Sequence, residues 1–127
     1  MDKLRRAHIK EKIRKLRINS IGFLGFGSTA MGIILSANAY SGPSGKKYSM
    51  LNHYISELGV VSLSELYSAF NTGVIIGGIC IAIFFFGFSF IFRGTLGKVG
   101  SIIGSFSGIF GTLVGFFPWD GNSKMHV

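Results

Sequence analysis

A single cysteine, only five acidic residues and three long stretches without any charge mark what this 127-residue chain goes without. Cys80 alone can form no disulfide within the chain, and it says little about redox compartment. Asp, Glu, Lys and Arg are absent from residues 18–40 (23 residues), 66–92 (27 residues) and 99–119 (21 residues). About 20 helical residues cross a hydrocarbon core of about 30 Å, so each run is long enough to span a membrane and too long for an ordinary core helix. We read three transmembrane helices, at about 18–40, 66–92 and 99–118. No Asp, Glu, Lys, Arg or His lies deep inside a span, which argues against a pump or ion-coupled transporter, since proton and ion pathways need ionisable groups at depth.

The charges that are present are segregated. The net charge is +8, and residues 1–17 carry eight Lys and Arg against Asp2 and Glu11. Arg93 and Lys98 add two more positive charges, whereas residues 41–65 and 118–127 are each neutral. Positive residues collect in cytoplasmic loops, so the N-terminus and the 93–98 turn are expected inside and the 41–65 connector and C-terminus outside. Both basic segments fall on one side only if there are three spans. This placement argues against a nucleic-acid partner. The basic segment reads either as a short amphipathic helix on the inner leaflet, drawn to anionic lipid headgroups, or as a solvated tail that only sets topology. Ala37-Asn38-Ala39 after an apolar run imitates a signal-peptide cleavage site, but a 23-residue run exceeds the usual apolar core of such peptides, and it is read as a retained span. The expected organisation is a basic cytoplasmic segment, 1–17, and a membrane domain, 18–127.

Small residues recur along two spans. Gly22, Gly25, Thr29, Gly32 and Ser36 are spaced 3, 4, 3, 4, and Gly97, Gly100, Gly104, Gly108, Gly111 and Gly115 are spaced 3, 4, 4, 3, 4. Each set lies on one helical face. A helical glycine costs about 1 kcal/mol against alanine. Close helix approach is the physical return, because lipid offers no hydrophobic drive and packing must supply it. The first and third spans are therefore expected to touch along these faces, within one subunit or between two. The second span is crowded with phenylalanine from Phe84 to Phe92. Ser62 and Glu65 form a capping-box pattern that predicts its start near residue 63. Ahead of it, Tyr48, Leu51, Ile55 and Leu58 recur at 3, 4 and 3, predicting an amphipathic surface helix over 48–58 capped at Gly59.

The side chains able to do chemistry fall on the predicted outer side: Asn52, His53, Ser56, Glu57, Asn71, Asp120 and His126. Glu57 and Asp120 could pair around a cation or a transferred proton, with His126 as ligand or base. Equally, His53 and Glu57 are an i, i+4 pair, Asp120 is a turn residue in Pro118-Trp119-Asp120-Gly121, and Trp119 is an interfacial anchor. No spacing here matches a recognised ligand set, so neither a metal, a cofactor nor a catalytic residue is expected.

Tyr48-Ser49, Asn52, Ile55-Ser56-Glu57-Leu58-Gly59, Phe70-Asn71 with Gly77, and Phe117-Pro118-Trp119-Asp120 followed by His126 carry a resemblance. Over about residues 20–127 the chain is similar to a prokaryotic membrane family, domain of unknown function 998. The resemblance implies a helical bundle with polar motif residues at one membrane face and brings no activity. Such proteins usually have aspartate where Glu57 stands and about six spans, so the chain is expected to be a shortened form, or a first half that completes itself by pairing. The fold expected is all-α: three transmembrane helices, N-terminus in and C-terminus out, with the surface helix over 48–58. The function expected is a non-enzymatic, oligomerising or accessory subunit of a membrane complex, using the bilayer and other membrane subunits as partners. The alternative is an outer-face lipid or small-molecule site at Asn52, Ser56, Glu57, Asn71, Asp120 and His126.

Overall fold

The structure is a computed structural model, and it describes residues 2–42 and 45–118. Three helices account for most of it: α1 (Asp2–Asn38), α2 (Tyr67–Ser89) and α3 (Thr95–Phe116). All three are long and apolar enough to cross a membrane. The described residues contain no strand, only an isolated antiparallel bridge between Tyr40 and Ser64. Trp119, Asp120 and His126 lie outside the described residues.

Helix α1 runs unbroken across residues 17 and 18, from the basic segment into the apolar run. Its 37 residues extend about 55 Å, well beyond the ~30 Å of a hydrocarbon core. No hinge separates the basic turns from the span, so those turns continue the helix axis.

Helix α2 lies between the other two and packs against both. Helices α1 and α3 share almost no contact among the described residues, which overturns a glycine-to-glycine seam between them within one chain. The small-residue faces point at α2 instead. A Cβ built on Gly25 would lie 2.7 Å from Cys80 Cβ, and one on Gly32 would lie 2.7 Å from the Ala69 carbonyl oxygen. On the other flank, one on Gly108 would lie 2.6 Å from the Gly78 carbonyl oxygen, and one on Gly115 2.8 Å from that of Asn71. Gly22 faces the Phe84 ring and Gly104 the Phe85 ring, Gly111 only grazes Gly78, and Gly100 meets nothing within 4 Å. Small residues on α2, among them Gly73, Gly77, Gly78 and Cys80, let the backbones approach closely on both flanks, and of the α1 and α3 glycines only Gly22 and Gly104 make room for phenylalanine rings of α2.

The connector departs from expectation in two places. Residues 49–53 form a turn closed by Asn52 N–H and His53 N–H on the Ser49 carbonyl (3.1 and 3.0 Å), and only Ile55–Gly59 is helical, as a 3-10 helix. Leu51 is 95% exposed and Leu58 fully buried, so the four apolar residues share no face. Nor does α2 begin near residue 63. Residues 60–66 wind through turns, with Leu63 N–H and Ser64 N–H donating to the Val60 carbonyl, because Ser64 and Glu65 are drawn to the end of α1. Ser41 N–H donates to the Leu63 carbonyl at 2.9 Å, and Glu65 N–H to that of Ala39 at 3.3 Å. Gly59 keeps an ordinary backbone conformation rather than a left-handed cap; among the described residues the left-handed glycines are Gly42 and Gly45.

Candidate functional site

The polar groups of the connector converge on the end of α1 opposite its basic turns. Ser36, on the last turns of α1, is fully buried. Its hydroxyl donates to the Leu58 carbonyl at 2.6 Å, and the single Ser64 hydroxyl proton is shared between two acceptors, Ser36 Oγ at 2.7 Å and the Ser36 carbonyl at 3.0 Å. One hydroxyl pair thus ties three segments together, in a buried setting where an unmade hydrogen bond is costly.

Glu57 closes the second knot. Its Oε2 accepts from the Tyr40 hydroxyl at 2.5 Å, and its Oε1 accepts from the Tyr54 backbone N–H at 3.1 Å. Tyr40 is only 4% exposed. Its ring packs edge-on to Tyr48 (centroids 5.5 Å) and against His53 (5.2 Å), while Tyr48 and His53 stack at 5.9 Å. His53 Nδ1 takes the Ser49 backbone N–H at 3.1 Å; since that group can only donate, Nδ1 is unprotonated and the ring proton sits on Nε2. The Tyr48 hydroxyl is buried without a hydrogen-bond partner.

Burial pushes the Tyr40 phenol up to about 12, helped by the hydrogen bond to Glu57 and by its charge; burial also raises Tyr48. Because the folded value of Tyr40 lies above the ordinary 10.0, folding favours the protonated phenol. That contribution is complete below about pH 10 and is lost as pH rises through about 12. Alkaline unfolding in detergent should therefore show a loss of stability between these limits that is shallower in Tyr40→Phe than in the wild type.

Of the residues singled out in the sequence, Glu57 and Asn71 lie inside this region, and Ser56 and Asn52 are exposed on it. Asn71 Nδ2 donates to the Gly59 carbonyl at 3.1 Å, and Asn52 Nδ2 to Ser49 Oγ at 3.3 Å. Ser56 and Asn71 line a cleft of about 370 Å³ whose other walls are apolar: Phe70, Phe110, Leu113, Val114, Phe117 and Pro118. Asp120 and His126 lie outside the described residues, so a Glu57–Asp120 pair has no geometry here. Among the described residues no three His, Cys, Asp or Glu side chains come together as a ligand set. Sequence reasoning missed Tyr40, Ser36 and Ser64. Ser36 was visible only as one more small residue on a helical face; its position on the last turn of α1, beside the connector, was the available signal.

Three apolar helices with a polar connector folded over one end define a multi-pass integral membrane protein. The chain belongs to the family described as Protein of unknown function (DUF998), whose profile matches residues 23–126. The match takes in α1 from Phe23 onward, the connector, α2 and α3, and leaves out the basic turns and the first residues of the apolar run. No curated protein and no solved structure matches the chain.

Proposed function

We propose that this chain is a non-enzymatic membrane subunit that acts by associating with further membrane helices, as a homo-oligomer or as an accessory subunit of a larger complex. The observation that carries this reading is how the polar groups at the connector end are used. Both oxygens of Glu57, the hydroxyls of Ser36 and Ser64, and the Asn71 amide each hold another part of the same chain. A general base or nucleophile needs reach to a substrate atom. These groups instead serve closure of the connector. Helices α1 and α3 expose large apolar side chains such as Phe23, Phe26, Phe106 and Phe110, surfaces that suit another helix as well as lipid. The orientation that fits puts the basic turns of α1 with Arg93 and Lys98 on the cytoplasmic side, and the connector outside.

A second reading, an outer-face site for a lipid or small molecule, is favoured by the apolar cleft with Ser56 and Asn71 on its wall. Native mass spectrometry of protein released from mild detergent separates the two. A dimer or larger species of defined stoichiometry supports the association reading. A monomer carrying one retained lipid that Asn71→Leu abolishes sinks it and supports the second.

A further inference from the structure

We propose a binding site for one anionic phospholipid at the basic end of the molecule, on the flank where α1 meets α2. Two independent observations meet there. The first is a groove of about 510 Å³, lined by Asn19, Gly22, Phe23 and Phe26 of α1 and by Ile81, Phe84 and Phe85 of α2. Its size is that of a small-ligand pocket, and apart from Asn19 its walls are apolar. The second is charge. Lys12, Lys15, Asn19, Phe23 and Phe26 are spaced 3, 4, 4 and 3, which places them in one row along α1. Because α1 continues unbroken through this region, the row is fixed: two cations, then an amide, then two aromatic rings.

That order matches an anionic phospholipid read from headgroup to tail. Lys15 stands one turn beyond Asn19, about 6 Å along the axis, and Lys12 about 4.5 Å further. Helical side chains lean towards the N-terminus and lysine stems reach to water, so both ammonium groups sit at headgroup level. The phosphate lies between them, the Asn19 amide meets the glycerol or ester oxygens, and an acyl chain follows Phe23 and Phe26 into the groove. Glu11 is the adverse neighbour. Its carboxylate holds Lys15 at 2.9 Å, but both side chains are about half exposed, and an exposed pair of this kind contributes little. The row, rather than the total charge of the basic segment, is the recognition element.

Native mass spectrometry with dioleoyl-phosphatidylglycerol or dioleoyl-phosphatidylcholine as probe tests this, with Lys12→Gln/Lys15→Gln set against Lys10→Gln/Arg14→Gln. The second pair removes the same charge from the other side of the helix, and all four residues are exposed, so neither variant threatens folding. The expected result is one phosphatidylglycerol retained in preference to phosphatidylcholine. The Lys12/Lys15 variant should weaken it roughly twentyfold, and the Lys10/Arg14 variant less than about threefold. An equal loss in both variants means diffuse attraction and overturns the site. Equal retention of phosphatidylcholine overturns the charge argument, and displacement of phosphatidylglycerol by millimolar inorganic phosphate overturns the role of the groove. This site is at the opposite end from the connector cleft, so Asn71→Leu leaves its lipid in place, and its outcome is independent of the oligomer measured for the wild type.

Discussion

Gly108→Leu should part α3 from α2 and lower the unfolding midpoint of the protein in detergent more than a leucine at any other glycine of α3. The reason is what the added carbon meets. At Gly108 it would sit 2.6 Å from the carbonyl oxygen of Gly78 and closer still to the Ala82 backbone nitrogen. The reciprocal position is equally closed, because a Cβ on Gly78 would stand 2.5 Å from Thr112 N and 2.6 Å from the Gly108 carbonyl oxygen. Backbone cannot rotate out of the way, so the helices themselves must move. Overpacking of this kind costs about 1–3 kcal/mol, with further loss as the rest of the interface opens. Gly104→Leu presses on the Phe85 ring, a side chain that can turn aside, and should cost less. Gly100→Leu meets nothing within 4 Å and recovers helix propensity of up to about 1 kcal/mol. Thermal unfolding of the three variants in one detergent checks the order. If Gly108→Leu melts no earlier than Gly100→Leu, the close approach of α2 and α3 is not what holds them together.

These contacts also explain what could be read in advance and what could not. The spans were legible because absence of charge over 20 or more residues is a one-dimensional property, and Arg93 in the turn between α2 and α3 and Lys98 in the first turn of α3 mark that boundary equally locally. The glycine faces were legible as faces, since spacings of 3 and 4 set a side of a helix whatever lies opposite. What lay opposite was not. The partner of Gly25 is Cys80 and that of Gly32 is Ala69, pairings that depend on how the helices are laid together. The connector was misread for a related reason. Its 3, 4, 3 apolar spacing describes a helix in isolation, whereas the pull of Tyr40 on Glu57 and of Ser36 on Leu58 and Ser64 acts across 17 to 28 residues of sequence. Long-range polar ties overrode local periodicity, and Leu51 ended outside while Leu58 went in.

Glu57→Leu should loosen the connector while leaving the three helices in place. The substitution removes both carboxylate oxygens at once. The Tyr40 hydroxyl, on a side chain only 4% exposed, loses its acceptor, and the Tyr54 N–H loses the group that starts the 3-10 helix. Leaving a buried donor unmade costs about 1–3 kcal/mol, more when the lost partner was charged. Glu57→Gln is the informative companion. The Tyr54 N–H can only donate, so it claims the one amide oxygen, and the amide nitrogen then faces a tyrosine hydroxyl whose own proton has no acceptor. The amide nitrogen can still donate to the phenol oxygen, so what is lost is the charge and the acceptor for the Tyr40 proton, and the loss should be intermediate. Tyr40→Phe in the Glu57→Leu background should add little further, because the hydroxyl it removes is already orphaned; full additivity of the two changes would show that they do not act through each other. Hydrogen exchange in lipid nanodiscs gives the location: amides of Glu57, Val60 and Ser41 should exchange faster, and those of α2 and α3 should not. Faster exchange throughout α2 would make Glu57 a determinant of the helix packing rather than of the connector. Exchange confined to residues 41–60 would show that its carboxylate holds the polar segment closed over the ends of α1 and α2.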